Sequence, residues 1–270
     1  MSIEQVFLSS KLTIAAFFGV WAMLWLPIAI PLAIVLKWHP PQTPTVQQKL
    51  PLVISLYAIA PLVLWGFAHL QQQPFSVYGF AWNLHLLGSI LAGSGIAILG
   101  LFILYGLLKT LGWLVWDSER IPSLVAALLP TLGIALWISI TEELIFRGFL
   151  LNQLQRDYSL AIAAIISSVI FAVLHLVWDG KEALSQIPGL WLLGMVLALA
   201  RWLDGGSLGL AIGLHAGWVW GIASLDTAQI LDYPNDNLAW LTGNGKPLAG
   251  VFGILLLLTT GAMMWAIAAQ

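Results

Sequence analysis

Two adjacent carboxylates and a guanidinium stand in an otherwise apolar run, Ile140-Thr141-Glu142-Glu143-Leu144-Ile145-Phe146-Arg147-Gly148. Charged residues make up only 8% of the chain, so this grouping is a concentration of charge. On a helix turning about 100° per residue, Glu143 and Arg147 lie one turn apart and pair on one face, while Glu142 points about 100° away. That geometry suits one structural acid and one working base. The same three groups could also form a buried ion network that only locks helices together. Two histidines extend the set. Ser168, Phe171, His175 and Asp179 fall on one semi-polar stripe at three- and four-residue steps, and His215 stands in a later apolar stretch. A carboxylate with nearby imidazoles is the residue set of general acid–base chemistry.

The elements that must position these groups are membrane helices. Apolar runs of about 20 residues match a hydrocarbon core of about 30 Å. They occur at 12–36, 51–69, 84–108, 122–154, 159–178, 188–203, 207–225 and 248–268. The expected fold is therefore all-α, a polytopic membrane bundle of about eight transmembrane helices. The run 12–36 is too long for a signal peptide and has no small-residue cleavage site at its end, so it reads as the first span. The run 122–154 exceeds one bilayer and must tilt, kink at Pro130 or project. The aromatic segment 75–83 is short enough to lie along the interface. Three segments follow: 1–119 with the first three helices, 120–225 as a core carrying the ionisable groups, and 226–270 with a polar loop and the last helix.

Composition excludes several classes. A chain that is 60% hydrophobic, with mean hydropathy +0.93, is not an ordinary soluble domain. A net charge of −2 leaves no basic footprint for nucleic acid. The lack of cysteine removes disulfides, thiolate metal sites and cysteine nucleophiles.

Gly209, Gly213, Gly217 and Gly221 form a stripe on one face of the seventh run, a surface for close helix packing, and His215 points roughly opposite to it. Lys37, Lys49, Lys109, Arg120, Lys181 and Lys246 fall in the odd-numbered loops, against Lys11, Arg156 and Arg201 on the other side. The positive-inside rule then makes the odd loops cytoplasmic. Measured from a boundary near Arg156, Tyr158 and Asp204 at about 1.5 Å per residue, Glu142, His175 and His215 lie at depths of about 21, 26 and 17 Å. They can converge on one cavity opening toward the odd loops.

Glu142-Glu143 with Arg147, then Phe171 with His175, then His215 on a small-residue-rich helix resemble the three motifs of the CPBP family. These are intramembrane endopeptidases that include type II CAAX prenyl proteases and bacteriocin-processing or self-immunity proteins. The resemblance covers about residues 120–225. It implies a membrane peptidase in which Glu142 activates water and Glu143 and Arg147 support it. It also implies that His175 and His215 position the water and stabilise the oxyanion, with Phe171 completing the second motif. The substrate implied is a membrane-associated protein or peptide, met in a lipid bilayer, here a bacterial inner membrane with the site open toward the cytoplasm. Glu142, His175 and His215 could hold Zn2+ with an open water position, and a glutamate base with histidine donors works equally without metal. Val219 departs from the pattern, which usually has Asn or a similar polar residue four after the third-motif histidine. That departure keeps open a second reading, a non-proteolytic scaffold or binding protein of the same fold. A transporter fits less well, because no inverted repeat is evident. Nothing in the chain selects the substrate or the oligomeric state.

Overall fold

Backbone N–H and C=O groups in lipid must be satisfied within the segment, and helices do this. The apolar runs accordingly fold as α1 (Ser10–Val35), α2 (Val46–Leu70), α3 (Leu84–Thr110), α4 (Ile121–Glu143), α5 (Leu160–Leu174), α6 (Ile187–Leu203), α7 (Gly209–Ala228) and α8 (Val251–Ala268). The structure, a computed structural model, describes residues 9–269; residues 1–8 and 270 lie outside the described residues, as does the side chain of Glu182. The fold is an all-α polytopic bundle. Its strands among the described residues are β1 (Val115–Trp116) and β2 (Leu231–Asp232), an antiparallel pair that ties the α3–α4 connection to the loop after α7. Asn83 caps α3, its side chain accepting from Leu86 N at 2.9 Å.

Among the described residues, 7 helices are long and apolar enough to cross a membrane. Of the eight named here, α7 is the one that falls short. Its glycines, together with His215, Ser224 and Asp226, lower its hydropathy. It can carry them because it packs against α3, α4 and α6, so protein surrounds much of its length. The radial arrangement is that of a membrane protein. Leu91, Phe102, Leu129 and Ile34 turn outward, while Ser139, Glu142, Glu143, Arg147 and His215 are buried. This is an integral membrane protein.

The glycine stripe of α7 lies along α3. A Cβ built at Gly213 would stand 2.2 Å from the Ile90 carbonyl oxygen, and one at Gly217 would stand 2.6 Å from Ala97 Cβ. The contact is reciprocal, since a Cβ at Gly93 would meet the Leu210 carbonyl oxygen at 2.5 Å. Ser94 Oγ donates to the Gly213 carbonyl at 3.2 Å, which makes Ser94 a packing residue. The obstruction at Gly213 is backbone and cannot swing aside. We expect Gly213→Ala to destabilise the bundle by about 1–3 kcal/mol, as overpacked positions do. Gly95→Ala, with nothing within 4 Å of its Cβ, should be neutral. Thermal unfolding of both variants in detergent checks this; equal stability would sink it.

Within the 75–83 segment, Phe75–Tyr78 forms a 3-10 turn, with Tyr78 buried against Phe149 and Gly148 and Val77 and Trp82 exposed. The 159–178 run forms the span Leu160–Asp179. The backbone tightens at His175, between α5 and a short helical turn at Leu176–Asp179, and Ser168 packs on Gly194 of α6.

Candidate active site

The α-helix of α4 ends at Glu143 and continues as a π-helical turn, Leu144–Leu150, into Leu151–Leu154. Such turns recur at functional sites, and their wider winding leaves carbonyls open to outside donors. Here two side chains use them. Ser167 Oγ donates to the Phe146 carbonyl at 3.0 Å, and Arg201 Nη1 donates to the Arg147 carbonyl. Arg201 also donates from Nε to the Gly206 carbonyl at 3.1 Å. Sequence reasoning counted Arg201 as a loop cation, but it is buried and braces the turn that follows the glutamates.

Arg147 Nη1 pairs with Glu143 Oε1 at 3.0 Å, both side chains being fully buried. The guanidinium also lies over the Phe171 ring, 4.5 Å from its centroid. The same Glu143 Oε1 stands 2.8 Å from His215 Nδ1. His215 Nε2 lies 3.6 Å from Glu142 Oε2, beyond a direct hydrogen bond but within reach of a bridging water. His215 therefore sits between the two carboxylates. The other oxygen of Glu142, Oε1, accepts the Tyr57 hydroxyl of α2. His175 Nδ1 meets the Phe171 carbonyl at 2.9 Å, which fixes Nδ1 as the protonated nitrogen and leaves Nε2 free for the cavity. The Phe171 ring packs edge-on against both histidines, with centroids at 4.8 Å and 6.1 Å.

Glu142, His175 and His215 line one cavity of about 320 Å³. Its walls are aromatic and aliphatic, including Trp21, Trp25, Leu56 and Trp178. Lys49 and Asp179, paired at 2.5 Å, also line it. A second cavity of about 510 Å³ shares His215, Val219, Lys49 and Asp179 with the first and runs on to Asp226 and Lys246. Val219 thus lies at the join of the two spaces. A groove of about 640 Å³ between α1 and α2 is larger, but it is lined by residues such as Val20, Leu24, Ile59 and Phe67 and holds no polar side chain that could do chemistry.

Residues 122–221 match the family model described as type II CAAX prenyl endopeptidase, Rce1-like. Over this segment, less than half of the chain, the protein is similar to that family. The Rce1-like segment takes in α4, its π-helical turn, α5, α6 and most of α7, and so holds Glu142, Glu143, Arg147, Phe171, His175 and His215. Neither a curated protein nor a solved structure matches the chain. The proteins that this segment resembles are described as type II CAAX prenyl endopeptidases.

The cavity is wider than the Rce1-like segment. Trp21 and Trp25 of α1 and Lys49, Leu56 and Tyr57 of α2 complete its wall. Sequence reasoning assigned these two helices no part in the site. Tyr57, one of five tyrosines in the chain, carried no spacing that linked it to Glu142, 85 residues away. As for a metal, the paired nitrogens leave Nε2 of each histidine in the form that could ligate an ion. Yet among the described residues no three His, Asp or Glu side chains stand close enough to hold one. No step is therefore drawn through zinc.

Proposed function

We propose that the protein hydrolyses a peptide bond of a membrane-associated protein or peptide, with Glu142 as general base. The observation that carries this reading is the setting of Glu142. It is a buried carboxylate on a cavity wall, with one oxygen held by Tyr57 and the other facing His215 Nε2 across a gap that a water can bridge. Glu142 Oε2 takes a proton from that water as its oxygen attacks the carbonyl carbon. The same proton then passes from Glu142 to the departing amine nitrogen, so the carboxylate is restored when the C–N bond breaks. His215 orients the water, and His175 lies across the Phe171 ring; as the imidazolium, with its Nδ1–H kept on the Phe171 carbonyl, it donates from Nε2 to the oxyanion. Glu143 and Arg147 act on this chemistry through His215, because Glu143 Oε1 fixes the Nδ1 side of the ring.

Segment 120–225 supplies the reacting groups in this reading, and the aromatic and aliphatic walls select an apolar group beside the scissile bond. The site opens toward the odd-numbered loops, where Lys49 and Asp179 line the cavity. The burial of Arg201 leaves fewer loop cations on the opposite side, which supports a cytoplasmic opening.

Comparative proteomics of membrane fractions tests the function. Cells carrying Glu142→Gln should accumulate a longer precursor that cells with the native protein convert. Identical peptide termini in the two proteomes, at equal protein levels, would overturn the peptidase reading.

A further inference from the structure

The hydroxyl of Tyr57 reaches Glu142 from α2, a helix that lies outside the Rce1-like segment. Resting on the peptidase reading above, we propose that Tyr57 is a positioning residue for the general base, deciding which carboxylate oxygen meets water.

A free carboxylate has two equivalent oxygens and rotates between them. In this site the equivalence is lost. Oε1 accepts the Tyr57 O–H, and Oε2 alone faces His215 Nε2 and the cavity. The carboxylate plane is thus held from α2 on one side and addressed from α7 on the other. Glu143 cannot take this place, because it is fully buried and does not line the cavity, and its Oε1 is engaged by Arg147 and His215. The tyrosine is itself held firmly. Leu52 and Val53, one turn before it, and Ala60, one turn after it, are buried, and the carbonyl of Leu56, its neighbour, accepts the Trp21 indole N–H of α1 at 2.9 Å. Tyr57 lines the same cavity as Glu142, His175 and Val219, so its hydroxyl sits beside the reacting groups as well as on the base.

This assignment gives the N-terminal helices a part in the chemistry. Movement of α2 relative to α4 would change the aim of the base without altering any residue of the Rce1-like segment.

The test uses the full-length protein in detergent or liposomes. Tyr57→Phe keeps the ring and its packing and removes only the hydroxyl. With a cleaved membrane peptide as substrate, kcat should fall about 10- to 100-fold, the loss expected for one charge-assisted hydrogen bond, while KM stays within about twofold. Unchanged kcat, or a change confined to KM, overturns the proposal. A second measurement does not need cleavage. The infrared difference between native protein and Glu142→Gln isolates the Glu142 carboxyl bands, and the same difference taken in the Tyr57→Phe background should be shifted. Bands that coincide in the two backgrounds overturn the contact itself. A shifted spectrum in a protein whose Glu142→Gln variant loses no activity would instead overturn the peptidase reading and leave the contact standing.

Discussion

Glu142→Gln is expected to lower kcat about 10³-fold or more while leaving the fold intact. The substitution is isosteric, and the glutamine carbonyl oxygen can still accept the Tyr57 hydroxyl, so the anchoring contact survives. What is lost is the capacity to take a proton from water, which is worth about 10²–10⁴ for a positioned base. Removing one negative charge from a group containing Glu142, Glu143, Arg147 and His215 should not loosen the bundle, because the Glu143–Arg147 pair is untouched. Cleavage of a purified membrane peptide substrate by native and variant protein, with thermal unfolding alongside, checks both halves. Glu119→Gln, an exposed carboxylate in the α3–α4 connection, is the control and should retain full rate. Native-like turnover by Glu142→Gln would remove Glu142 from the chemistry.

The spacing of the chain made the ionisable groups of the cavity readable but left their support hidden. Glu143 and Arg147 one turn apart predicted an ion pair, and they form one. The glycine stripe predicted a close helix neighbour, and α3 is that neighbour. Both are local patterns on one helix. The contribution of Tyr57 was invisible because it depends on α2 being folded beside α4, a long-range contact with no periodic signature. The π-helical turn was equally silent. It depends on Ser167 and Arg201 reaching carbonyls from other helices, and the run Leu144–Leu150 reads simply as apolar helix. Arg201 misled for a related reason. A cation near the end of an apolar run resembles a loop marker, and only its carbonyl partners at Arg147 and Gly206 show that it belongs inside. Val219, the departure from the third motif, lies on the cavity wall. The cavity it lines also receives the Tyr57 side chain, so that polar contacts to the site come from a helix outside the matched segment.

Arg147→Met should be the most destabilising single substitution in the site, by about 3–5 kcal/mol. Arg147 and Glu143 are both fully buried, and the cost of leaving one buried charge without its partner falls in that range. Methionine keeps the volume of the aliphatic stem but removes the charge opposite Glu143 and the contact over the Phe171 ring. Glu143 would then hold its charge against His215 alone. The diagnostic variant is the double one. Glu143→Gln with Arg147→Met removes both charges of the pair and should be more stable than Arg147→Met by itself, because replacing a whole buried pair costs much less than breaking it. Arg147→Lys should fall between, since the ammonium keeps the charge but not the planar stack on Phe171. Thermal or denaturant unfolding in mixed micelles of the native protein, Glu143→Gln, Arg147→Met and the double variant gives the cycle. If the double variant shows the plain sum of the two single losses, Glu143 and Arg147 are not coupled, and the ion pair does not hold the carboxylate that orients His215. If the coupling is present, activity should follow it. The double variant would then be folded yet slow, because the stable helix would remain while the anchor on the Nδ1 side of His215 would lack its negative charge.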